Sequence, residues 1–339
     1  MVDTGSMSMP RTLIIAEAGV NHNGSLELAK RLVETAKDCG ADIVKFQTAK
    51  LDSLVSRSAR MAEYQKRNIG MEESQKEMLR KLLLSFDDFI ELADHCKRVG
   101  IHFLSTPFDI ESIRFLNGMQ DIWKVPSGEI TNYPYLVQIA GTGKRVILST
   151  GMAEMAEIAA AVRVLEEHGT KDLTILHCTT EYPAPIQDVN LRVMETLRER
   201  FGYPVGYSDH TQGIEVPLAA VALGACVIEK HFTLDRKLPG PDHKASLEPH
   251  ELKAMVNGIR KIEQAMGSAE KRPSEAEIRN RSVARKSIVA KKRIGVGDVL
   301  SSDNITTKRP GTGIDPMRWN EVIGTKAIHD FDEDALIEI

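Results

Sequence analysis

The sequence predicts an α/β protein, an eight-stranded parallel barrel with a helix after each strand and a small β-rich domain behind it. Three observations carry this. Eight short apolar runs recur between segments with helical spacing. Each run ends in a polar cluster. After a charged stretch near residue 270 the pattern changes to short strands divided by turns. Alternating strand and helix implies a parallel sheet with crossover helices. Eight such units fit a barrel, which takes about 250 residues. On strand count alone, a doubly wound open sheet is the runner-up.

The strand candidates, in order, are Leu13–Ala16, Ile43–Phe46, His102–Leu104, Ile122–Val125, Val146–Leu148, Leu173–Leu176, Val205–Tyr207 and Val227–Ile228. Their Ile, Val and Leu content suits a sheet buried on both faces. Between them, Leu28, Leu32, Ala36 and Cys39 share one helical face, as do Phe89, Leu92, Ala93 and Cys96. Further helical patterns cover Ala153–Glu167, Leu191–Arg200, Val216–Leu223 and Pro249–Met266. Gly40, Gly100, Gly169 and Gly224 follow helical stretches, where a C-terminal cap favours a left-handed residue. The weakest units are the fourth, whose helix carries Pro134, and the seventh, whose strand is short. The tail from Ser287 offers strands at Ser287–Ala290, Gly295–Asp298, Ser301–Asn304 and Gly311–Gly313. The expected organisation is a barrel over residues 9–270, a charged linker over 271–286 and a small domain over 287–339. The opening residues, with Gly5-Ser6-Met7, read as a cloning remnant and stay outside the fold.

The 339 residues carry 44 Lys and Arg against 48 Asp and Glu, a net charge of −4. That balance argues against a nucleic-acid partner held by bulk charge. The longest uncharged run, Val216–Ile228, is too short to span a bilayer. Cys39, Cys96, Cys178 and Cys226 are far apart and form no C-x-x-C, so neither a disulfide framework nor a cysteine-zinc site is expected. With no signal-like start, the expected compartment is the cytoplasm.

In a barrel, the polar clusters converge on the rim at the C-terminal ends of the strands, where barrel enzymes keep their chemistry. Loop punctuation explains the Ser, Thr, Gly and Pro of these clusters. It does not explain Lys45, Lys124, His177, His210 and His231. His210 and His231 follow adjacent strands, so two imidazoles at matching heights can share one divalent cation with open positions left for substrate. Lys45 and Lys124, with Thr106, Ser127 and Ser208, form an anion pocket suited to a phosphate or a phosphate with a carboxylate. The bland alternative pairs these lysines with Glu17 or Glu129; an inward lysine needs a negative partner of some kind. Glu17 and Glu129 are the proton-transfer candidates. A carboxylate beside a lysine and a metal keeps a low pKa and serves as a base. Pro239-Gly-Pro-Asp-His243 is expected to hang over the rim and carry Asp242. Gly141-Thr-Gly143 and Gly311-Thr-Gly313 read as turns, and Cys178 as a bystander.

Taken in order, these segments resemble the sialic acid synthase family. They are Ile15-Ala-Glu-Ala-Gly-Val-Asn-His-Asn-Gly24, Val44-Lys-Phe-Gln-Thr48, Ser105-Thr-Pro-Phe108, Lys124-Val-Pro-Ser-Gly-Glu129, Leu148-Ser-Thr-Gly-Met152, Tyr207-Ser-Asp-His210, Glu229-Lys-His-Phe-Thr233 and Gly240-Pro-Asp242. The tail segment Lys308-Arg-Pro-Gly-Thr-Gly313 resembles the antifreeze-like (SAF, β-clip) domain of those synthases. The resemblance implies a (β/α)8 TIM barrel with a SAF domain, and a metal-dependent condensation of phosphoenolpyruvate with an N-acylated mannose-type aldehyde. C3 of phosphoenolpyruvate attacks the aldehyde, water adds at C2, and phosphate leaves by C–O cleavage. It implies that His210 and His231 hold manganese or magnesium. Lys45, Thr106, Lys124, Ser127 and Ser208 would hold phosphoenolpyruvate, Glu17, Gln47, Glu129 and Asp242 would surround the sugar, and Thr180 and Tyr182 would also bind substrate. Arg309 would reach the neighbouring subunit's site in a domain-swapped homodimer.

One departure bears on the substrate. N-acetylneuraminate synthases commonly carry Asn or Ser where this chain has Thr180, which removes an Asn that contacts phosphoenolpyruvate. The Thr-Thr-Glu-Tyr-Pro183 version, with Ala62-Glu-Tyr-Gln-Lys66 upstream, resembles the legionaminate synthases. Those use 2,4-diacetamido-2,4,6-trideoxymannose, which calls for a roomier pocket, more apolar at one end. N-acetylmannosamine is the alternative acceptor. The competing readings are a metal-dependent aldolase acting on a phosphorylated sugar and a non-catalytic sugar- or ice-binding protein.

Overall fold

The structure is a computed structural model that describes residues 11–54, 65–66 and 74–339. The cloning remnant and most of the Ala62–Lys66 segment lie outside the described residues. The chain divides into two compact units, the second running Ser268–Ile339.

The first unit has eight parallel strands: β1 (Leu13–Gly19), β2 (Ile43–Thr48), β3 (His102–Pro107), β4 (Ile122–Val125), β5 (Arg145–Ser149), β6 (Leu173–Cys178), β7 (Val205–Asp209) and β8 (Val227–His231). Their spatial order is 3-2-1-8-7-6-5-4. Chain neighbours pair at every step except β3 to β4, and β1 pairs with β8. A doubly wound sheet would instead reverse its order at a switch point. The ladder is open only between β3 and β4. There the side-chain amide of Gln120 accepts from Ser105 N at 2.8 Å and donates to Ser105 O at 3.0 Å. A side chain thus satisfies buried backbone groups that a strand would otherwise serve.

Two-residue alternation builds the barrel interior. Ile15, Ile43, Leu104, Ile147, Leu176 and Val227 form a closed apolar layer, drawn from six strands. Two residues further along the same strands stand Glu17, Lys45, Thr106, Ser149, Cys178 and Glu229. The polar rim is therefore the next inward layer above an apolar plug. The outward positions, such as Ile14, Val44, Val146, Ile175 and Ile228, belong to the shell packed under the helices.

The helices follow the sequence pattern. Leu26–Asp38 starts at Ser25, whose side chain accepts from Leu28 N, and buries Ala29, Leu32, Val33 and Ala36. Phe86–Val99 buries Phe89, Leu92 and Cys96 and ends at Gly100, whose φ of 79° is left-handed. Pro134 is accommodated because it lies in the first turn of Tyr133–Ala140, capped by Asn132. Among the described residues, no helix is long and apolar enough to cross a membrane. The four cysteines are unpaired.

The second unit has its own core of Ile288, Ala290, Ile294, Leu300, Ile305, Val322, Ala327, Phe331 and Ile337. Its strands β9 (Ser287–Ala290) and β10 (Ile305–Lys308) pair antiparallel. Only the first of the four strands expected in the tail forms. Gly295–Asp298, Ser301–Asn304 and Gly311–Gly313 are turns and bends instead. Asp298 and Asn304 bind backbone N–H groups three residues back, which closes two of these turns. The stretch read as a linker contains a helix, Glu275–Ala284, started by a capping box between Ser274 and Glu277.

Candidate active site

The eight strand ends surround a cavity of about 460 Å³. Twelve of the residues expected at the site line it: Glu17, Lys45, Gln47, Thr106, Lys124, Ser127, Thr180, Tyr182, Ser208, His210, His231 and Asp242. Two do not. Glu129 stands outside the lining, and its carboxylate accepts from Asn132 at 2.6 Å. Arg309 belongs to the second unit, where its Nε donates to Ala284 O at 2.9 Å. His177 also turns away, bonding Val189 O at 2.6 Å.

The floor is a cluster of buried charge. Lys45 Nζ lies 2.7 Å from Glu17 Oε2 and 3.7 Å from Glu229 Oε2, and it donates to Thr106 Oγ1 at 3.1 Å. Lys124 Nζ donates to Ser149 Oγ at 2.7 Å and lies 3.6 Å from Glu229 Oε1. Ser208 donates to the same Glu229 oxygen at 3.0 Å. The partner of Lys124 is thus Glu229, not Glu129. Burial opposes ionisation of Glu229, but Lys124 and Lys45 outweigh it and hold this carboxyl below its usual range. Burial likewise pulls Lys45 down, yet Glu17 and Glu229 raise it overall. For Lys124 burial prevails, and its ammonium is depressed. Glu17 corrects the expectation of a low pKa: burial, with Glu229 nearby, pushes it up despite Lys45. Two lysines with several hydroxyls suit a tetrahedral anion or a carboxylate.

Above the floor, the imidazoles of His210 and His231 lie 5.3 Å apart, centroid to centroid, with the Tyr182 ring 4.1 Å from His210. His210 Nδ1 lies 2.7 Å from Thr179 O, which fixes that nitrogen as a donor; burial opposes a charge on this ring, but Cys178, Thr179 O and Asp209 outweigh it and raise its pKa. His231 Nδ1 is buried and has no hydrogen-bond partner; Asp242 Oδ2 is 3.7 Å away. Burial, with His210 and the lysines nearby, keeps His231 far below its usual pKa and therefore neutral. Asp242 is pushed up to about 7, first by burial and then by Glu17. Among the described residues no group of three or more His, Cys, Asp or Glu is arranged to hold a metal. Two imidazoles, one with an orphaned nitrogen, fit an open catalytic cation site completed by substrate and water, not a closed structural one.

The loop over the rim is held in place from below. His243 bonds Thr233 Oγ1 at 2.7 Å and Asn23 Oδ1 at 3.2 Å, and Ser246 Oγ donates to Asp242 O at 2.7 Å. On another side, Gly151 N donates to Ser127 Oγ at 2.9 Å. A Cβ at Gly151 would stand 2.1 Å from Thr180 Oγ1 and 2.8 Å from Ser127 Oγ. This glycine is needed for close approach.

Sequence reasoning missed Ser149, Glu229 and Cys178 among the lining residues, and one whole wall. Ser149 and Glu229 sit at inward positions two residues beyond Ile147 and Val227, a period that could have found them. Cys178 is no remote bystander: its Sγ lies 3.7 Å from His210 Nδ1. The wall is apolar. Met78, Leu79 and Leu82 of the helix Gln75–Leu82 line it with Val20, Leu54 and Phe108.

Comparison with known proteins gives the family. The NeuB family profile matches residues 32–271 and the SAF domain profile residues 285–338. The chain is 54% identical to the N,N'-diacetyllegionaminic acid synthase of Campylobacter jejuni, covering 97% of this chain and 99% of that one. It is 49% identical to the protein of the same description from Legionella pneumophila, covering 92% and 89%. The crystal structure of the N-acetylneuraminic acid (sialic acid) synthetase of Leptospira borgpetersenii superposes with a TM-score of 0.72 at 33% identity, covering 83% of this chain and 93% of that one. A barrel rim with paired lysines and histidines, and family profiles over both halves, place this chain in the NeuB family, with a C-terminal SAF domain.

Proposed function

We propose that the chain condenses phosphoenolpyruvate with 2,4-diacetamido-2,4,6-trideoxymannose to give N,N'-diacetyllegionaminate and phosphate. One observation carries the choice of substrates: the cavity has two lysines and several hydroxyls at its floor and is apolar along one wall. The floor suits the phosphate and carboxylate of phosphoenolpyruvate. The wall suits a sugar whose C6 is a methyl and whose C4 bears an acetamido group. The names of the two legionaminate relatives support the same choice.

In this scheme Lys45, Lys124, Thr106, Ser127, Ser149, Thr180 and Ser208 hold phosphoenolpyruvate. His210 and His231 hold a divalent cation, manganese or magnesium, which when bound polarises the sugar aldehyde. Glu17, Gln47, Tyr182 and Asp242 face the sugar. As C3 attacks the aldehyde carbon, the new alkoxide takes a proton from Asp242, whose pKa of about 7 suits that transfer at neutral pH. Water adds at C2, and the C–O bond to phosphate then breaks. Glu129 has no place in this scheme. Residues 9–270 act as the synthase domain and 287–339 as the SAF domain. Arg309 acts across a domain-swapped homodimer in the cytoplasm.

Phosphate release from phosphoenolpyruvate with each sugar, followed by product mass, tests the reading. The diacetamido sugar should be consumed with the larger kcat/KM. Equal or better turnover of N-acetylmannosamine would move the assignment to N-acetylneuraminate. Release with neither sugar would overturn it.

A further inference from the structure

Asp209 and Lys230 are register partners on β7 and β8, one residue before His210 and His231. Both side chains are 0% exposed, and Lys230 Nζ lies 2.5 Å from Asp209 Oδ2. Neither lines the cavity. They take the outward phase of their strands, that of Tyr207 and Ile228, which belong to the apolar shell under the helices. Thr211 closes the arrangement. Its N–H donates to Asp209 Oδ1 at 3.0 Å and its hydroxyl to Asp209 Oδ2 at 3.1 Å, while Lys230 Nζ donates to Thr211 O. One ion pair thus grips the residues on both sides of His210 and ties them to the residue before His231.

Packing alone does not account for this pair. Burying two charges is costly, and an apolar pair of similar volume fills such a space at least as well. What an apolar pair lacks is direction. The two imidazoles also differ in their own support. His210 is oriented by Thr179 O, whereas His231 Nδ1 has no hydrogen-bond partner. The placement of the His231 ring therefore depends on its backbone, which Lys230 anchors.

We propose that the Asp209–Lys230 pair, closed by Thr211, is a positioning device that sets the spacing of the His210 and His231 imidazoles and hence their joint affinity for a divalent cation. This rests on the reading of those histidines as the cation-holding pair. Asp209, Lys230 and Thr211 act through the histidines and touch no substrate.

The test is Mn2+ binding to the full-length protein, followed by electron paramagnetic resonance, alongside thermal unfolding and calorimetric binding of phosphoenolpyruvate. The double variant Asp209→Asn/Lys230→Met removes both charges together and leaves no buried ion unpaired. It should stay folded and bind phosphoenolpyruvate as before, yet bind Mn2+ about 10- to 100-fold more weakly. Thr211→Val, which leaves the ion pair intact, should weaken Mn2+ binding less, and it serves as the test if the double variant does not fold. A folded double variant with wild-type Mn2+ affinity overturns the proposal, as does an unchanged Thr211→Val when it stands alone. Absence of Mn2+ binding by the wild type overturns the cation reading itself.

Discussion

The carboxylate of Glu229 stands 3.6 Å from the ammonium of Lys124 and 3.7 Å from that of Lys45, so one buried anion serves two buried cations. Lys45 has a second partner in Glu17. Lys124 has no other carboxylate within ion-pair distance among the described residues. Glu229→Gln should therefore leave Lys124 exposed to its full desolvation cost, about 3 kcal/mol for a broken buried pair. At about 2–4 °C per kcal/mol, Tm falls by roughly 6–12 °C in chloride. Inorganic phosphate at matched ionic strength should recover part of that loss, and more than it adds to the wild type. An unchanged Tm in chloride would mean that Glu229 is not the counterion.

Gly151 is the point where the loop after β5 meets two hydroxyls of the anion pocket. An added methyl group collides with Thr180 Oγ1 and Ser127 Oγ, and both can rotate away. Gly151→Ala should therefore fold normally and displace the hydroxyls. Losing two hydrogen bonds to an anion costs about 3 kcal/mol or more, roughly a hundredfold in kcat/KM for phosphoenolpyruvate. The sugar KM should change little. A variant with unaltered phosphoenolpyruvate kinetics would remove Thr180 and Ser127 from that subsite.

Leu79 lines the apolar wall and is only partly buried, so Leu79→Asn tests the wall without opening the core. Losing one apolar contact costs about 1–2 kcal/mol. The kcat/KM for the diacetamido sugar should fall about tenfold, while that for N-acetylmannosamine falls less. An equal fall for both sugars would mean that the wall does not read the C4 to C6 end.

The barrel was legible because its strands are apolar on both faces below the rim, so each reads as a short unbroken run. Their ends were not. Glu17, Gln47 and Asp209 are strand residues, but polar side chains at a functional rim look like the start of a loop. The lysines and histidines stood out because loop punctuation does not call for them. Glu229 did not, because a Glu at a strand end carries no sign of the two lysines that fold around it. Gln120 was invisible for a similar reason, since nothing local marks a side chain that closes a barrel seam. The helix Glu275–Ala284 was missed although Ser274 and Glu277 spell a capping box, because no apolar stripe follows them and none of its residues is buried. In the tail, Gly295–Asp298, Ser301–Asn304 and Gly311–Gly313 read as short strands, yet their Gly, Asp and Asn residues form the turns themselves.

His22 makes stability depend on pH with a definite sign. Its ring is 1% exposed, its Nδ1 accepts from Gly24 N at 3.2 Å, and its Nε2 has no partner. Burial lowers its pKa from 6.5 to about 4. The folded protein thus binds fewer protons at this site than the unfolded chain between those values. Stability should be fully present above about pH 6.5 and fall as the pH drops toward 4, by about 3 kcal/mol in total. His243, also lowered to about 4, works in the same direction, so the wild-type slope contains both. The informative quantity is the difference between the wild type and His22→Gln in urea unfolding at pH 7 and pH 4.5. The variant should lose about 2 kcal/mol less than the wild type over that interval. Equal losses would mean that His22 titrates as a solvated ring.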